Sequence, residues 1–359
     1  MSTFFSGVWV VLALELRQRV RGVAWYVLIG IFAALVAVVT FVVWYITVGF
    51  GGVDDATGGG IFSTIIYFVL LLGTLVAPAL SGNAINGDRE AGTLATTQVT
   101  LITTGQLVIG KFLAAWITAL GFLVASLPFL IIGLAVGGVA ISTIVISTLV
   151  LAIELGVVAA VGVGLSGILN KPLFSVVVTY LVVAALSVGT LITFGLAGAA
   201  TQSTARTTYV SGLTYSELTG DALTCTEPSV SEFSVPRFDY YWGILAANPY
   251  VVLADAAPTT YQDGYPVDLF GYIKLGARSA QLAPELDSYY NECDPRENTD
   301  GGYYGVGSED TAEETINATV PSWFVGLTIH VLLGAGALAG AWARTNTPAR
   351  TLTKGSRIA

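Results

Sequence analysis

Long apolar runs recur along this chain of 359 residues, and they constrain its fold more than any other feature. The runs cover residues 24–48, 61–80, 112–136, 140–167, 173–198 and 323–342. Each is close to the roughly 20 apolar residues that a helix needs to cross a bilayer. Only 11% of the residues are charged, whereas about a quarter are charged in soluble domains. We therefore predict an all-α polytopic membrane protein with one transmembrane helix for each of these six runs.

The positions of Lys and Arg predict how these helices are oriented, because cytoplasmic loops of membrane proteins are enriched in both residues. With six spans, one side receives Arg17, Arg19, Arg21, Arg89, Lys111, Lys171, Arg344, Arg350, Lys354 and Arg357. The other side receives most of the acidic residues, so the formal net charge of −9 belongs mainly to that side. We expect a multi-pass protein of the cell membrane with both termini in the cytoplasm and one large extracellular loop.

The segments outside the spans complete the predicted organisation. The N-terminal residues join a short apolar stretch to basic residues, which predicts a cytoplasmic helix lying in the membrane interface. Residues 241–257 are apolar but contain Asn248-Pro249, and Pro removes a helix hydrogen bond, so we expect an outer-surface or re-entrant helix there instead of a seventh span. The predicted boundaries are residues 1–22 for the interfacial helix, 23–198 for helices one to five, 82–111 for the loop between helices two and three, 199–321 for an extracellular domain, 322–343 for helix six and 344–359 for a cytoplasmic tail.

The two cysteines, Cys225 and Cys293, both fall in the predicted extracellular domain. An oxidising compartment permits disulfide formation, and the chain offers neither cysteine another partner. We therefore predict a disulfide between them, the alternative being two unpaired thiols.

A polar island, Asn83–Lys111, separates the second apolar run from the third. The two flanking spans fix its ends near the membrane surface, so a helix within it would lie along that surface and be accessible to a docking protein. In order, the island contains Asp88-Arg89-Glu90, Gly92-Thr93-Leu94, a Thr-rich stretch from Thr97 to Thr104, and Gly110-Lys111.

This pattern resembles the permease subunits of ATP-binding cassette (ABC) transporters of the type-2 exporter family. In that family, the loop after the second span often reads acidic-Arg-acidic-x-Gly-Thr-Leu. This loop carries the coupling helix, which contacts a separate ATPase and transmits its conformational change to the spans. Asn248–Ala256 and the tail Pro348–Ala359 also look like elements of actinobacterial members. The chain departs from the pattern at Ala95-Thr96-Thr97, where a Glu-Leu-Leu-like run is common.

The resemblance implies an ATPase-coupling site formed by Asp88, Arg89, Glu90, Gly92, Thr93 and Leu94. Arg89 and Glu90 would make polar contacts with a groove on the ATPase, and Leu94 would supply an apolar anchor. The implied partners are ABC ATPase subunits and a second permease copy or paralogue, all acting at a lipid bilayer. The ATPase would bind ATP and Mg²⁺, so we expect a permease subunit that is not an enzyme and binds no cofactor itself.

The sequence offers little support for catalysis in this chain. Residues 105–111 match the first seven positions of a phosphate-binding P-loop, but Phe112 stands where Ser or Thr must reach the magnesium ion. We find no nucleophile–base pair, no spaced metal ligands and no basic-aromatic pattern for nucleic acid. We therefore predict no catalytic residue, no metal site and no nucleic-acid partner.

Two ionisable residues fall inside predicted spans, Glu154 in helix four and His330 in helix six. A charge at the bilayer centre costs about 2.5–3.5 kcal/mol on insertion scales, so Glu154 should face protein, water or a partner. Glu154 either lines the transport pathway or relays a proton, or it forms a structural hydrogen bond between helices. His330, the only histidine, either packs between helices or lines the pathway, or it relays a proton. A lone histidine cannot form a zinc site.

Two other functions remain open from the residues alone. A secondary transporter or channel using Glu154 would need no ATP, but such proteins ordinarily show inverted repeats or several intramembrane charges. A non-transporting membrane anchor with a partner-binding extracellular domain would need no coupling loop. An adjacent gene encoding a Walker-motif ATPase would distinguish the permease from both.

The predicted topology can be tested by labelling single cysteines in intact cells, in a variant that lacks both native cysteines. A cysteine at Ser216 should react with an impermeant reagent from outside, because this position lies in the predicted extracellular domain. A cysteine at Thr353 should react only after the cells are opened. Labelling of Thr353 in intact cells would contradict a cytoplasmic tail.

Overall fold

A computed structural model describes residues 2–50, 57–92, 102–213, 224–291 and 311–346 of the chain. Most of these residues are helical. The helices are α1 (Ser2–Arg21), α2 (Val23–Phe50), α3 (Thr57–Ser81), α4 (Asn86–Glu90), α5 (Thr104–Val136), α6 (Ile141–Ile168), α7 (Pro172–Ala184), α8 (Thr190–Ala200), α9 (Pro249–Ala256), α10 (Leu269–Ser279), α11 (Ala312–Ala318) and α12 (Trp323–Thr345). A π-helix, Ala185–Gly189, joins α7 to α8 as one continuous helical segment.

Six helical segments are long and apolar enough to cross a membrane. They are α2, α3, α5, α6, α7 with α8, and α12, and they coincide with the six apolar runs of the sequence. The prediction of six membrane-length helices is therefore confirmed. The long segment between α8 and α12 is the only part of the described chain in which strands occur.

Three small sheets in this long segment depart from the predicted all-α fold, which is wrong in this respect. The strands are β1 (Gln202–Val210), β2 (Gly212–Leu213), β3 (Thr224–Cys225), β4 (Ser229–Pro236), β5 (Tyr261–Gln262), β6 (Tyr265–Pro266) and β7 (Asp287–Asn291). The sheets are β4-β1-β7, β2-β3 and β5-β6. In the three-stranded sheet β1 is central, antiparallel to β4 and parallel to β7. Thr, Val and Tyr recur in these strands and favour β-structure. A search for membrane-length apolar runs does not detect such short, polar strands.

Small residues allow α6 to occupy the centre of the bundle, where it packs against α3, α5, α7, α9 and α12. A Cβ atom added to Gly162 would lie 1.9 Å from the Ser81 hydroxyl on α3, and one added to Gly164 would lie 2.5 Å from Ala337 on α12. Glycine at these positions lets the neighbouring backbones approach more closely than any larger residue would. The bundle therefore has α6 as its packing axis.

Different elements lie at the two ends of the bundle. We call the end formed by α1, α4 and the start of α5 the basal end. We call described residues 201–321, at the opposite end, the apical region. The apical region is not packed as a separate module, because Val252, Leu253 and Phe270 belong to the same buried core as Ile61 and Ile65 of α3. Part of the predicted extracellular domain thus shares the hydrophobic core of the spans.

Helix α9 and the preceding 3-10 helix, Trp242–Ala247, correspond to the segment in which Asn248-Pro249 breaks an apolar run. Asn248 accepts from the Tyr250 backbone N–H at 2.9 Å and so caps the start of α9, while Pro249 occupies its first turn. Both short helices pack against α12. This geometry agrees with a helix that folds back onto the bundle, not with a seventh span.

Asp255 attaches the apical region to the first turn of α12. One carboxylate oxygen accepts from the backbone N–H groups of Ser322 at 2.6 Å and Trp323 at 2.9 Å. The other accepts from Arg278 Nε of α10 at 2.7 Å, and Arg278 also donates to the Thr319 carbonyl. A carboxylate at a helix N-terminus satisfies free N–H groups and complements the helix dipole. Asp255 thereby joins three segments.

A second buried cation, Lys274, supports the same junction. Its ammonium group donates to the Ala257 carbonyl at 2.6 Å. Burial lowers the pKa of Lys274 below its ordinary value, and the nearby Asp255 carboxylate opposes this shift. The junction therefore contains two cations, and Asp255 is a counter-charge for both of them.

We expect Asp255→Ala to destabilise the protein by about 3–5 kcal/mol, because it leaves the buried Arg278 guanidinium without its counter-ion. The thermal unfolding midpoint of the purified protein should fall by several degrees. The matched control is Glu285→Ala, since Glu285 is an exposed acid of the same region. Equal midpoints for the two variants would contradict the structural role of Asp255.

Candidate functional site

Lys111 is the centre of a polar cluster at the basal end of the bundle. It lies on the second turn of α5, its side chain is buried, and its ammonium group pairs with the Glu15 carboxylate of α1. It also pairs with Asp88 Oδ2 of α4 at 2.7 Å. A buried ammonium needs such partners because leaving water costs several kcal/mol. One lysine thus holds three separate segments together.

The start of α5 is fixed by further hydrogen bonds. Thr103 and Gln106 form a reciprocal capping box, in which the Thr103 backbone N–H donates to Gln106 Oε1 at 2.8 Å. Gln106 Nε2 also donates to the Phe4 carbonyl of α1 at 3.2 Å. Therefore α1 runs along the beginning of α5 and contacts it at several positions along its length.

Arg19 makes the next attachment along α1. Its guanidinium donates to Thr118 Oγ1 of α5 at 3.4 Å and to the Leu80 carbonyl of α3 at 3.3 Å. Burial lowers the pKa of Arg19 below its ordinary value, and Glu15 opposes this shift. The opposite face of α1 exposes large apolar side chains, including Phe5 and Trp9. Such a face is compatible with the predicted interfacial position.

Arg89 points into the chain and not away from it. Its guanidinium donates to the Leu169 carbonyl at 3.1 Å and to the Gly167 carbonyl at 3.4 Å, both at the end of α6. It also donates to Asn86 Oδ1 at 3.0 Å. The last carbonyl groups of a helix lack partners within the helix and attract cations. The guanidinium predicted to contact an ATPase therefore caps the central helix of the bundle.

The turn before α4 is bound to α6 as well. The backbone N–H groups of Ile85 and Asn86 donate to Ser166 Oγ at 2.9 and 3.0 Å, and Asn86 Nδ2 donates to Ser175 Oγ of α7. Together with Lys111 and Arg89, these contacts form what we call the basal polar cluster. It consists of Glu15, Ile85, Asn86, Asp88, Arg89, Thr103, Gln106, Lys111 and Ser166.

The other residues of the predicted coupling site fall into two groups. Glu90 and Gly92 are exposed immediately beside the basal polar cluster. Thr93 and Leu94 lie outside the described residues, so their predicted contacts stay a prediction. The basal polar cluster fixes the chain on both sides of this segment, at Arg89 before it and at Thr103 after it.

A second candidate site lies inside the bundle, where the structure brings together Glu154 and His330. Glu154 Oε1 of α6 and His330 Nδ1 of α12 are 2.9 Å apart, and both side chains are buried. His330 Nε2 is 2.9 Å from the Ala247 carbonyl. Sequence reasoning identified both residues but not the pair, because 176 positions separate them along the chain.

The residues after Ala247 make further contacts with the spans. Asn248 Nδ2 donates to the Ser187 carbonyl at 2.6 Å and to Thr190 Oγ1 at 2.9 Å. Ser187 lies in the π-helix, where a wider turn leaves backbone carbonyls available. Tyr67 of α3 donates its hydroxyl proton to the Tyr250 carbonyl at 3.1 Å. We call residues 247–250 the apical turn.

Two further expectations from the sequence concern the cysteines and metals. Cys225 lies on β3, whereas Cys293 lies outside the described residues, so the disulfide between them stays a prediction. Within the described part of the chain, no group of three or more His, Cys, Asp or Glu side chains is placed to hold a metal ion.

Comparison with protein-family models and with curated proteins finds no match to this chain.

We expect Lys111→Met to loosen α1, because the variant leaves the Glu15 and Asp88 carboxylates without their cation. The cost should be about 1–3 kcal/mol, less than for a fully buried pair, since the Asp88 side chain is 33% exposed. Hydrogen–deuterium exchange should become faster in residues 2–21. Lys171→Met is the matched control, because Lys171 is exposed at the same end. Unchanged exchange in Lys111→Met would contradict the role of the cluster.

Proposed function

We propose that this chain is the membrane-spanning permease subunit of an ATP-driven ABC exporter of the cell membrane. The observation that carries the proposal is the basal polar cluster. It binds the polar island between α3 and α5 to α1, α5, α6 and α7 through buried and partly buried polar contacts. The sequence of that island resembles the coupling loop of type-2 exporter permeases.

In this proposal, the cluster transmits force. Lys111 ties the island to α1 and α5, and Arg89 ties it to the end of α6. A displacement of the island would therefore move α1 and the ends of three spans, α3, α5 and α6, together. Since α6 is the packing axis, its displacement reaches the rest of the bundle. ATP binding to a partner ATPase can change the conformation of the bundle only if the ATP-bound partner has a different affinity for each conformation of the bundle.

The proposal assigns different roles to neighbouring residues of the island. Asp88 and Arg89 connect the island to the spans, whereas Glu90, Gly92, Thr93 and Leu94 contact the ATPase. Glu90 and Gly92 are available for this contact because they are exposed. This division refines the role expected for Arg89, whose guanidinium makes its contacts within the chain.

The remaining components of the transporter would be separate chains. A partner ATPase would bind ATP and Mg²⁺, and a second permease copy or paralogue would complete the translocation pathway. The outer faces of α2 and α8 expose apolar side chains such as Val38, Phe41 and Leu196. These faces suit contact with lipid tails or with the apolar helices of a second permease.

The proposal predicts that Glu90→Ala combined with Leu94→Asp weakens ATPase binding and leaves the bundle intact. A carboxylate buried at an interface without a partner costs roughly 2–4 kcal/mol, or about 30- to 1,000-fold in affinity. The measurement is co-purification with a candidate partner ATPase, together with ATP hydrolysis in reconstituted membranes.

Gln18→Ala is the control variant, because Gln18 is an exposed polar residue of α1 that the proposal leaves without a role. It should keep both ATPase binding and hydrolysis. If the double variant binds and stimulates the ATPase as well as the control does, the island is not a coupling site. The exporter function would then lose its main support.

A further inference from the structure

The partners of His330 restrict how many protons the Glu154–His330 pair can hold. The Ala247 carbonyl can only accept a hydrogen bond, so His330 Nε2 must carry a proton to make the 2.9 Å contact. His330 Nδ1 faces Glu154 Oε1 at the same distance. That contact also needs one proton, which resides either on the imidazole or on the carboxyl group.

Both arrangements of these protons are electrically neutral overall. An imidazolium beside a carboxylate and a neutral imidazole beside a carboxylic acid contain the same number of protons. Removal of one proton leaves a neutral imidazole and a carboxylate. The imidazole then has one N–H group for two acceptors, and one of the two contacts becomes a contact between two acceptors.

We propose that Glu154 and His330 form a one-proton binding site that holds the apical turn against the bundle. With the proton bound, both hydrogen bonds exist and Ala247 is attached to α12. After the proton is lost, one of the two bonds cannot form, and the attachment of the apical turn weakens. The site thus links proton binding to the junction between the spans and the apical region.

The other titratable groups on the elements packed around this pair either lie at the basal end or have hydrogen-bond partners of their own. On α5 the group is Lys111, which is bound at the basal end, and on α12 it is Arg344, at the same end. On α9 they are Tyr250, whose hydroxyl contacts Thr74, and Asp255, which pairs with Arg278. On α3 and α7 they are Tyr67 and Tyr180, whose hydroxyls donate to the Tyr250 and Leu75 carbonyls. The helix Trp242–Ala247 has no titratable residue, and on α6 the only one is Glu154 itself. Among these described elements, His330 is the titratable residue that contacts the Ala247 carbonyl directly.

Proton binding at this pair can affect the apical region because hydrogen bonds from several spans meet at the apical turn. Ala247 is bound by His330 of α12, Asn248 by the π-helix between α7 and α8, and Tyr250 by Tyr67 of α3. Each contact joins a different span to the same four residues. Weakening one of these hydrogen bonds therefore loosens the attachment of the apical region to the bundle.

Hydrogen–deuterium exchange of the purified full-length protein tests the proposal from about pH 6 to about pH 10. Rates are taken relative to the intrinsic exchange rate at each pH. In the wild-type protein, residues 245–256 should exchange about tenfold faster at the alkaline end, which corresponds to the loss of one hydrogen bond. Helix α11, whose only titratable side chains are the carboxyl groups of Glu313 and Glu314, is the internal reference and should not change.

Glu154→Gln is the decisive variant, because its carboxamide can donate to His330 Nδ1 while the neutral imidazole donates to Ala247. Both contacts then form without a titrating proton, so exchange in residues 245–256 should stay slow across the pH range. A rise in Glu154→Gln equal to that of the wild type would overturn the proposal. So would a flat wild-type profile, which decides the question even if the variant does not fold.

The inference does not rest on the exporter function. The experiment uses this chain alone, without an ATPase, so its outcome is separate from that of the coupling experiment.

Discussion

The structure depends on one constraint: polar groups removed from water inside an apolar bundle must find partners there. Three buried contacts satisfy it and each joins different parts of the chain. Lys111 joins the basal segments, the Glu154–His330 pair joins two spans and reaches Ala247, and Asp255 joins the apical region to α12. Apolar packing alone would leave the relative positions of these segments weakly defined, because lipid tails are as apolar as the helices.

The sequence predicted the helical bundle more reliably than the contacts within it. Six apolar runs of sufficient length specify six spans almost without ambiguity, and the break at Asn248-Pro249 indicated a helix that folds back. The sheet around β1 was missed because its short strands are polar and bury little surface. Its pairing of β1 with β7 also joins residues about 80 positions apart, which local patterns do not reveal.

At the candidate sites, the sequence likewise identifies the charged residues but not the contacts that their side chains make. Lys111, Asp88 and Arg89 were identifiable as charged residues beside spans, but their directions depend on packing. Arg89 illustrates this, since a charged residue in a loop is ordinarily expected to face solvent or a partner, whereas the open carbonyls at the end of α6 bind it. The two sites nevertheless form one arrangement, because α6 carries Ser166 at the basal cluster and Glu154 at the buried pair.

We propose that a partner ATPase docks at the basal end of this bundle. Photocrosslinking from position 90 tests it most directly, because Glu90 is exposed beside the basal polar cluster. A photoreactive amino acid is placed there, the cells are irradiated, and the crosslinked product is identified by mass spectrometry. We expect a crosslink to an ABC ATPase subunit that weakens when Leu94 is changed to Asp. Crosslinks to lipid or to this chain alone, with the ATPase present, would contradict it.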